Sequence, residues 1–198
     1  MTSLNPDDRI NLSKAHVVVI DGSAHSLEVT SQIVKSLGVG SVHRCDTLLE
    51  AGQSLARKAA DLVIIDPSIE NGEGYAFIQR MRHSDWPSVM SPVVLVGGHV
   101  RKRDVAKGRD TGANFVIAKP ISPVVLLQRI LWVVRDKRPF VADADYVGPD
   151  RRFKFEGPPS GSDGRRESDL KSPLGEANEP NMSQDEVDAL IKPQKVVL

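Results

Sequence analysis

The stretch Leu62-Val63-Ile64-Ile65-Asp66 is a run of four aliphatic residues that ends in a carboxylate. Such a run predicts a strand that is buried on both faces, as in parallel sheets. The same pattern, an apolar run followed by one polar or small residue, occurs at residues 17–21, 93–97 and 115–119. In an open α/β sheet the carboxyl ends of neighbouring strands share one crevice. We therefore expect the residues that follow these runs to meet there: Asp21, Asp66, Gly97 and Lys119.

Segments with helical periodicity alternate with these strands, which predicts βαβ units and helices on both faces of the sheet. A shorter strand is predicted over residues 39–45, with Val42 directed inward. The predicted fold class is α/β, a doubly wound five-stranded parallel sheet of the flavodoxin type. The helices are predicted over residues 26–37, 47–59, 75–82, 101–111 and 123–134, with a turn at 71–74.

Charge and cysteine content limit the classes of partner and the compartment. The formal net charge is +0, which argues against nucleic acid or an anionic membrane surface as a partner. Cys45 is the only cysteine, so no internal disulfide forms and a reduced, cytoplasmic location is expected. No apolar run approaches the roughly 18 residues of a membrane span. The five histidines show no metal-ligand spacing.

The chain changes character after residue 135. Seven of the thirteen prolines lie beyond this point, and no apolar run occurs there before Val196. Such a segment cannot bury enough apolar surface to offset its ordering entropy. We therefore predict a folded domain over residues 14–135 and a largely disordered tail over 136–198. The paired arginines in the cluster 148–153 are interpreted as part of a solvated linker, and no chemistry is assigned to them.

Two carboxylates and one ammonium in the same crevice indicate a phosphoryl site. An aspartyl nucleophile needs an exposed carboxylate, a divalent cation and a fixed positive charge for the phosphoryl oxygens. Asp66, Asp21 and Lys119 can fill these roles. Taken alone, Asp66 before Pro67 is better interpreted as the start of a turn, and Lys119 as a solvated lysine. As a set, each after its own strand, they favour the phosphoryl site.

Over roughly residues 14–135, these motifs resemble the receiver domain of two-component response regulators. The resemblance implies that Asp66 accepts the phosphoryl group and that Lys119, followed by Pro120, contacts it. It implies a Mg²⁺ ion held by Asp21, Asp66 and the backbone of Ser68. The donor partner would be a histidine kinase or a phosphotransfer protein, and the chain would be a signalling protein and not an enzyme.

This sequence departs from the family pattern around the expected site. Gly22 stands where the family has a second acid, and the loss of a carboxylate predicts weak Mg²⁺ binding, with Glu70 or Glu28 as possible substitutes. Gly97 stands at the switch position, where the family has serine or threonine. Val116 stands where the family often has the aromatic partner of that switch. Phosphorylation is therefore expected to be slow, absent or read out differently.

The sequence leaves competing hypotheses of function. The leading one is a phosphorelay receiver without a DNA-binding output, which acts through protein contacts in chemotaxis or flagellar motility. The alternative is an atypical, phosphorylation-independent receiver that serves as an adaptor. A small enzyme of flavodoxin-like fold is disfavoured because the loop after the first strand, Asp21-Gly22-Ser23-Ala24, has one glycine and is not a Gly-rich phosphate loop.

The tail contains a compact helix signal over residues 183–191. Ser183 and Glu186 have the spacing of a capping box, and Met182 with Val187 has that of a hydrophobic staple. A helix this short needs a partner surface, because isolated helices of this length do not persist in water. The segment resembles the N-terminal peptide of the flagellar motor switch protein, so its partner would be a flagellar or chemotaxis protein, or a groove on its own receiver. The predicted docking residues are Met182, Val187, Leu190 and Ile191.

Overall fold

The computed structural model describes residues 11–134 and 138–151, and it confirms the predicted fold class. Five parallel strands form one sheet in the order β2-β1-β3-β4-β5. Each strand lies within one or two residues of its predicted position. The strands are β1 (His16–Ile20), β2 (Ser41–Cys45), β3 (Leu62–Ile65), β4 (Val93–Gly97) and β5 (Phe115–Ala118).

The predicted helices are also present, and their bounds differ from the prediction by a few residues at most. One short helical turn was not predicted as a helix, at residues 69–72. It contains left-handed backbone at Glu70 (φ 48°) and Asn71 (φ 62°), so it is a kinked turn and not a regular helix. The helices are α1 (Ala24–Ser36), α2 (Leu48–Arg57), α3 (Ile69–Gly72), α4 (Gly74–Arg82), α5 (Lys102–Asp110) and α6 (Pro123–Val134).

Two apolar clusters cover the two faces of the sheet, because successive strand residues point to opposite sides. On β1, Val17 and Val19 belong to the cluster that contains residues of α1 and α6. Val18 and Ile20 belong to the other cluster, which contains residues of α2, α4 and α5. The four strands that are continuous apolar runs are therefore buried between helices on both faces, whereas β2 at the edge of the sheet is partly exposed.

The register of the strands brings their carboxyl ends to one edge. Ile20 of β1 lies opposite Ile65 of β3, and the N–H of Asp66 donates to the carbonyl of Ile20 at 2.9 Å. At the other side, the N–H of Lys119 donates to the carbonyl of Gly97 at 2.8 Å. The residues that follow β1, β3 and β5, together with the last residue of β4, thus lie at the same end of the sheet.

The folded part of the chain extends past the predicted boundary at residue 135 and includes residues 138–151. These residues include an antiparallel hairpin of β6 (Phe140–Ala142) and β7 (Val147–Pro149). Phe140 lies over the buried guanidinium of Arg82, 5.0 Å from the ring centre. Tyr146 is also buried, and its hydroxyl donates to the carbonyl of Pro149 at 2.7 Å. The hairpin is ordered because Phe140 contacts Arg82 of the preceding domain, which local composition does not reveal.

Two glycines allow the hairpin to approach the loop before β5. Gly112 has a φ of 84°, and a Cβ placed there would clash with the carbonyl oxygen of Val147. A Cβ at Gly148 would lie 2.6 Å from the Cα of Gly112 and 2.6 Å from the Tyr146 hydroxyl. The contact between hairpin and loop therefore depends on the absence of side chains at both positions.

Replacing Gly148 with alanine is expected to displace the hairpin and lower the free energy of unfolding by about 1–3 kcal/mol. Urea denaturation measures the change, and amide hydrogen exchange over residues 138–151 should become faster. Gly98→Ala is the matched control, because no atom lies within 4 Å of a Cβ placed there. Equal stability of the two variants would contradict the close packing of the hairpin.

No helix within residues 11–134 and 138–151 has the length and apolar character needed to cross a membrane.

Candidate functional site

Asp21 and Asp66 lie side by side at the carboxyl ends of β1 and β3. They are 5% and 7% exposed, so both carboxylates are largely withdrawn from water. Buried carboxylates need hydrogen-bond donors or a cation, since an unpaired buried charge is costly. The structure supplies both kinds of partner.

The Asp21 carboxylate accepts three hydrogen bonds. Its Oδ1 accepts from the N–H of Ser23 at 2.9 Å, which closes a turn before α1. Its Oδ2 accepts from the hydroxyl of Ser26 at 2.5 Å and from the ammonium of Lys119 at 2.8 Å. Asp21 is thus fixed by the start of the first helix on one side and by the residue after β5 on the other.

The Asp66 carboxylate has a similar arrangement. Its Oδ1 accepts from the N–H of Ser68 at 2.7 Å and from the hydroxyl of the same residue at 2.6 Å. Its Oδ2 accepts from the ammonium of Lys119 at 2.5 Å. One oxygen is therefore positioned by the loop after β3, and the other faces the only cation that contacts both acids among the described residues.

Lys119 bridges the two acids and stays charged. Burial of its ammonium acts to lower the pKa, but the hydrogen bonds and negative charges of Asp21 and Asp66 outweigh this effect. The pKa of Lys119 is consequently raised above its ordinary value. At neutral pH Lys119 therefore supplies a fixed ammonium between Asp21 and Asp66.

A cavity of about 410 Å³ opens beside the two acids. Carboxylate and carbonyl oxygens are the ligands that Mg²⁺ prefers, and this ion keeps several of its waters in protein sites. Two acids and an adjoining polar cavity therefore fit a partly hydrated Mg²⁺ ion. Asp21, Asp66 and the Ser68 carbonyl would hold it, although that carbonyl also accepts the N–H of Gly72 at 3.1 Å. The cavity is lined by Asp21, Gly22, Ser23, Asp66, Ser68, Ile69, Glu70 and Asn71.

The two acids that were considered as substitutes for the missing carboxylate at Gly22 have other partners. Glu70 lines the cavity, but its Oε1 accepts the N–H of Leu48 at 2.8 Å and so satisfies the start of α2. Glu28 does not line the cavity and pairs with Arg44 at 2.5 Å on the surface. The position at Gly22 itself has room, because a Cβ there would first meet Ile69 at 3.4 Å.

Residues 97 and 116, which the resemblance assigns to a switch, lack the side chains that it implies there. Gly97 has no side chain, and a Cβ there would lie 3.3 Å from Val100. Next to it, α5 approaches the sheet closely at Gly108, where a Cβ would lie 2.6 Å from Leu95 and 3.1 Å from Val116. This close packing fills the space beside Val116. A hydroxyl that reports the phosphoryl group and a ring that follows it are both missing here.

The strand-end pattern in the sequence predicts which acids and which lysine meet, but it does not indicate the residues that hold them. Ser26 and the Ser68 hydroxyl were not predicted as partners. The Asp-x-Ser spacing at residues 21–23 and 66–68 is typical of turns closed by an aspartate side chain and was an available signal. The proposed docking residues of the tail lie outside the described residues: Met182, Val187, Leu190 and Ile191.

Comparison with curated proteins gives relatives among response regulators. The phosphate regulon transcriptional regulatory protein PhoB of Escherichia coli is 27% identical over 127 residues, which is 64% of this chain and 55% of that protein. This chain thus spans about half the length of that relative.

Solved structures of receivers have the same fold. The chemotaxis response regulator CheY4 of Vibrio cholerae has a TM-score of 0.56 at 21% identity and covers 61% of this chain and 98% of its own. A response regulator from Chloroflexus aurantiacus has a TM-score of 0.57 at 21% identity, with coverages of 62% and 99%. A family model described as the response regulator receiver domain matches residues 17–131, the same part of the chain that forms this fold. The chain therefore belongs to the response regulator receiver domain family.

Proposed function

We propose that this chain accepts a phosphoryl group on Asp66 from a histidine kinase or a phosphotransfer protein, and that it acts through protein–protein contacts. The observation that supports this most directly is the convergence of Asp21, Asp66 and Lys119 beside an open cavity. The Lys119 ammonium lies 2.8 Å from Asp21 and 2.5 Å from Asp66. Such a set of charges suits a phosphoryl group, which carries negative oxygens that need positive partners.

Each residue has a defined role in this proposal. A carboxylate oxygen of Asp66 attacks the phosphorus of the donor, and a new P–O bond forms as the bond to the donor breaks and the donor leaves with its electron pair. The Lys119 ammonium contacts the phosphoryl oxygens, while Ser68 holds the Asp66 carboxylate in position. A Mg²⁺ ion bound by Asp21 would offset the negative charge that accumulates between the two acids and the phosphoryl group.

Treatment with acetyl phosphate and Mg²⁺, followed by intact-mass and peptide mass spectrometry, tests the proposal. One phosphoryl group per chain is expected on the peptide that contains Asp66. Asp66→Asn should abolish the modification, and Asp46→Asn is the matched control because Asp46 is an exposed acid that follows β2. Phosphorylation that persists in Asp66→Asn would refute the assignment.

The alternative function, a phosphorylation-independent adaptor, is favoured by the close approach of α5 to the sheet at Gly108. With glycine at position 97 and valine at 116, the site has no switch residues of the usual kind through which a phosphoryl group could move α5. Partner binding separates the two functions. The leading proposal requires that the partner binds only when Asp66 is modified. If the chain is an adaptor, the Asp66→Asn variant binds the partner as well as the wild type does.

Replacing Gly22 with aspartate is expected to strengthen Mg²⁺ binding roughly tenfold, which corresponds to about 1.4 kcal/mol. The reason is that a third carboxylate would join Asp21 and Asp66, and Gly22 has space and no left-handed backbone. Fluorescence titration with MgCl₂ measures the affinity. Gly22→Asn is the matched control, since it has the same shape without the charge. Equal affinities for both variants would show that the added charge does not reach the cation.

We further propose that the predicted helix over residues 183–191 docks on a flagellar or chemotaxis protein, or on the receiver itself. Leu190→Asp is expected to weaken the contact roughly 10- to 100-fold, since burial of a leucine contributes about 1.5–3 kcal/mol. Binding of the segment is measured by pull-down or titration, once with candidate partner proteins and once with the receiver truncated after Pro180. The two measurements distinguish a partner surface from a surface on the receiver itself. Leu174→Asp, a tail leucine outside this segment, is the control. If both substitutions have the same effect, the segment is not a specific docking helix.

A further inference from the structure

Three potential metal ligands meet between β2 and α2, away from the cavity beside Asp21 and Asp66. The ligand atoms of His43, Cys45 and Glu50 all lie within 4.8 Å of one another, and His43 Nε2 is 3.8 Å from Glu50 Oε1. Around a tetrahedral ion with ligand bonds of about 2.0–2.3 Å, donor atoms lie roughly 3.3–3.6 Å apart. The His43 and Glu50 donors are therefore close to the spacing that one bound cation requires, and the Cys45 sulfur lies within 4.8 Å of both.

The fold produces this juxtaposition from residues that show no metal motif in the sequence. His43 and Cys45 are two positions apart on β2, so they point to the same face of the sheet. Glu50 lies in the first turn of α2, where Thr47 accepts its N–H at 3.3 Å and fixes the helix start. The spacing of the histidines in the sequence does not indicate this cluster, because the fold brings Glu50 of α2 to His43 of β2.

We propose that His43, Cys45 and Glu50 form a second metal site that binds a divalent cation of zinc type. Sulfur, imidazole nitrogen and carboxylate oxygen together suit a borderline-soft ion, whereas Mg²⁺ and Ca²⁺ prefer oxygen alone. A thiolate and a carboxylate balance the two positive charges. Three protein ligands leave the fourth tetrahedral position for water.

The three side chains differ in their exposure to solvent. The side chains of His43 and Glu50 are 43% and 45% exposed, so a cation can reach them from solvent. Cys45 is fully buried beneath them. Binding must displace the thiol proton to solvent, because burial and then the nearby acids Glu50 and Asp46 raise the pKa of Cys45 to about 12 in the metal-free protein.

The position of this site also connects it with the candidate phosphoryl site. The carbonyl of Cys45 accepts the N–H of Asp21 at 3.1 Å, so the two sites share one backbone hydrogen bond. A cation that joins β2 to α2 would stabilise the folded chain, because the unfolded chain does not hold the three ligands together. The proposal does not depend on whether Asp66 is phosphorylated.

Titration of the full chain with Co²⁺, a spectroscopic substitute for Zn²⁺, tests the site. Cys45 is the only cysteine, so a thiolate-to-cobalt charge-transfer band can arise from no other residue. We expect this band at one equivalent of Co²⁺, its displacement by Zn²⁺, and a rise in Tm of roughly 5–10 °C at about a hundredfold excess of Zn²⁺ over its Kd. Absence of the band in folded protein would overturn the proposal.

Variants locate the ion. His43→Gln and Glu50→Gln change half-exposed side chains and should weaken Co²⁺ binding at least about 10- to 100-fold, the loss already seen for outer partners of metal ligands. Glu28→Gln and His83→Gln are the matched controls and should bind as the wild type does. Asp21→Asn should retain the band, which separates this site from the one beside Asp66. A band that survives unchanged in both His43→Gln and Glu50→Gln would overturn the assignment.

Discussion

Replacing Arg82 with methionine is expected to lower the free energy of unfolding by roughly 3–5 kcal/mol, because three carbonyl oxygens lose the buried guanidinium that donates to them. Arg82 is 2% exposed at the end of α4. Its guanidinium donates to the carbonyl oxygens of Val89 at 2.5 Å, of Ser91 at 2.8 Å and of Gly112 at 2.9 and 3.2 Å. Methionine keeps part of the apolar stem but leaves these carbonyls without that donor, and each unsatisfied buried group costs about 1–3 kcal/mol.

The Arg82 guanidinium is charged under ordinary conditions, because burial lowers its pKa only to about 10 while Tyr146 acts in the opposite direction. Phe140 of the hairpin covers it, so the substitution should also loosen residues 138–151. Urea denaturation and amide hydrogen exchange measure the two effects. Arg80→Met is the control, since its side chain is 58% exposed and should change stability by about 0.5 kcal/mol or less. Similar losses in both variants would mean that the buried hydrogen bonds contribute little.

The sheet and its helices could be predicted because their signals are local and long. Four apolar runs specify strands, and the periodic segments between them specify helices. The hairpin could not be predicted in this way. Its sequence contains Pro139, Pro149 and several charged residues, and its order comes from contacts with Arg82 and Gly112, which are distant in sequence. The composition of a segment indicates how much apolar surface it can bury by itself. It does not indicate which contacts a distant part of the chain provides.

In the candidate site, too, some features could be predicted from the sequence and others could not. The meeting of Asp21, Asp66 and Lys119 follows from the rule that strand ends share one edge, so it was predictable. The hydrogen bond from Ser26 depends on how α1 begins, and the role of Glu70 as a partner of Leu48 depends on the kink in α3. Such side-chain contacts are set by backbone angles that the residue pattern does not specify.

Replacing Lys119 with methionine is expected to reduce the rate of phosphoryl incorporation about 10²- to 10³-fold, the usual cost of removing one fixed electrostatic partner from a reaction site. The same change leaves two buried carboxylates without their shared cation, which should lower the free energy of unfolding by roughly 2–3 kcal/mol. This value is below that expected for Arg82, because the Lys119 side chain is 22% exposed and water partly screens it.

The charge of Lys119 predicts how the stability of the protein depends on Mg²⁺ and on pH. Mg²⁺ should recover part of the lost stability in Lys119→Met and should stabilise the wild type less, because the ion supplies the positive charge that the variant lacks. The pKa of Lys119 is raised on folding, so its contribution is complete below the unfolded value of 10.5 and is lost as pH rises through the higher folded value. The stability difference due to Lys119 should therefore stay constant from about pH 7 to about pH 9 and shrink at higher pH.

Lys102→Met is the matched control for Lys119→Met, since Lys102 is an exposed lysine at the start of α5. Its rate of phosphorylation and its stability should equal those of the wild type. Calorimetry with and without Mg²⁺, together with the timed mass measurement after addition of acetyl phosphate, gives both quantities from one preparation. If Lys119→Met accepts the phosphoryl group at the wild-type rate but is destabilised, Lys119 neutralises the acids without assisting transfer. That outcome would contradict the proposed role of Lys119 in the transfer while leaving Asp66 as the acceptor.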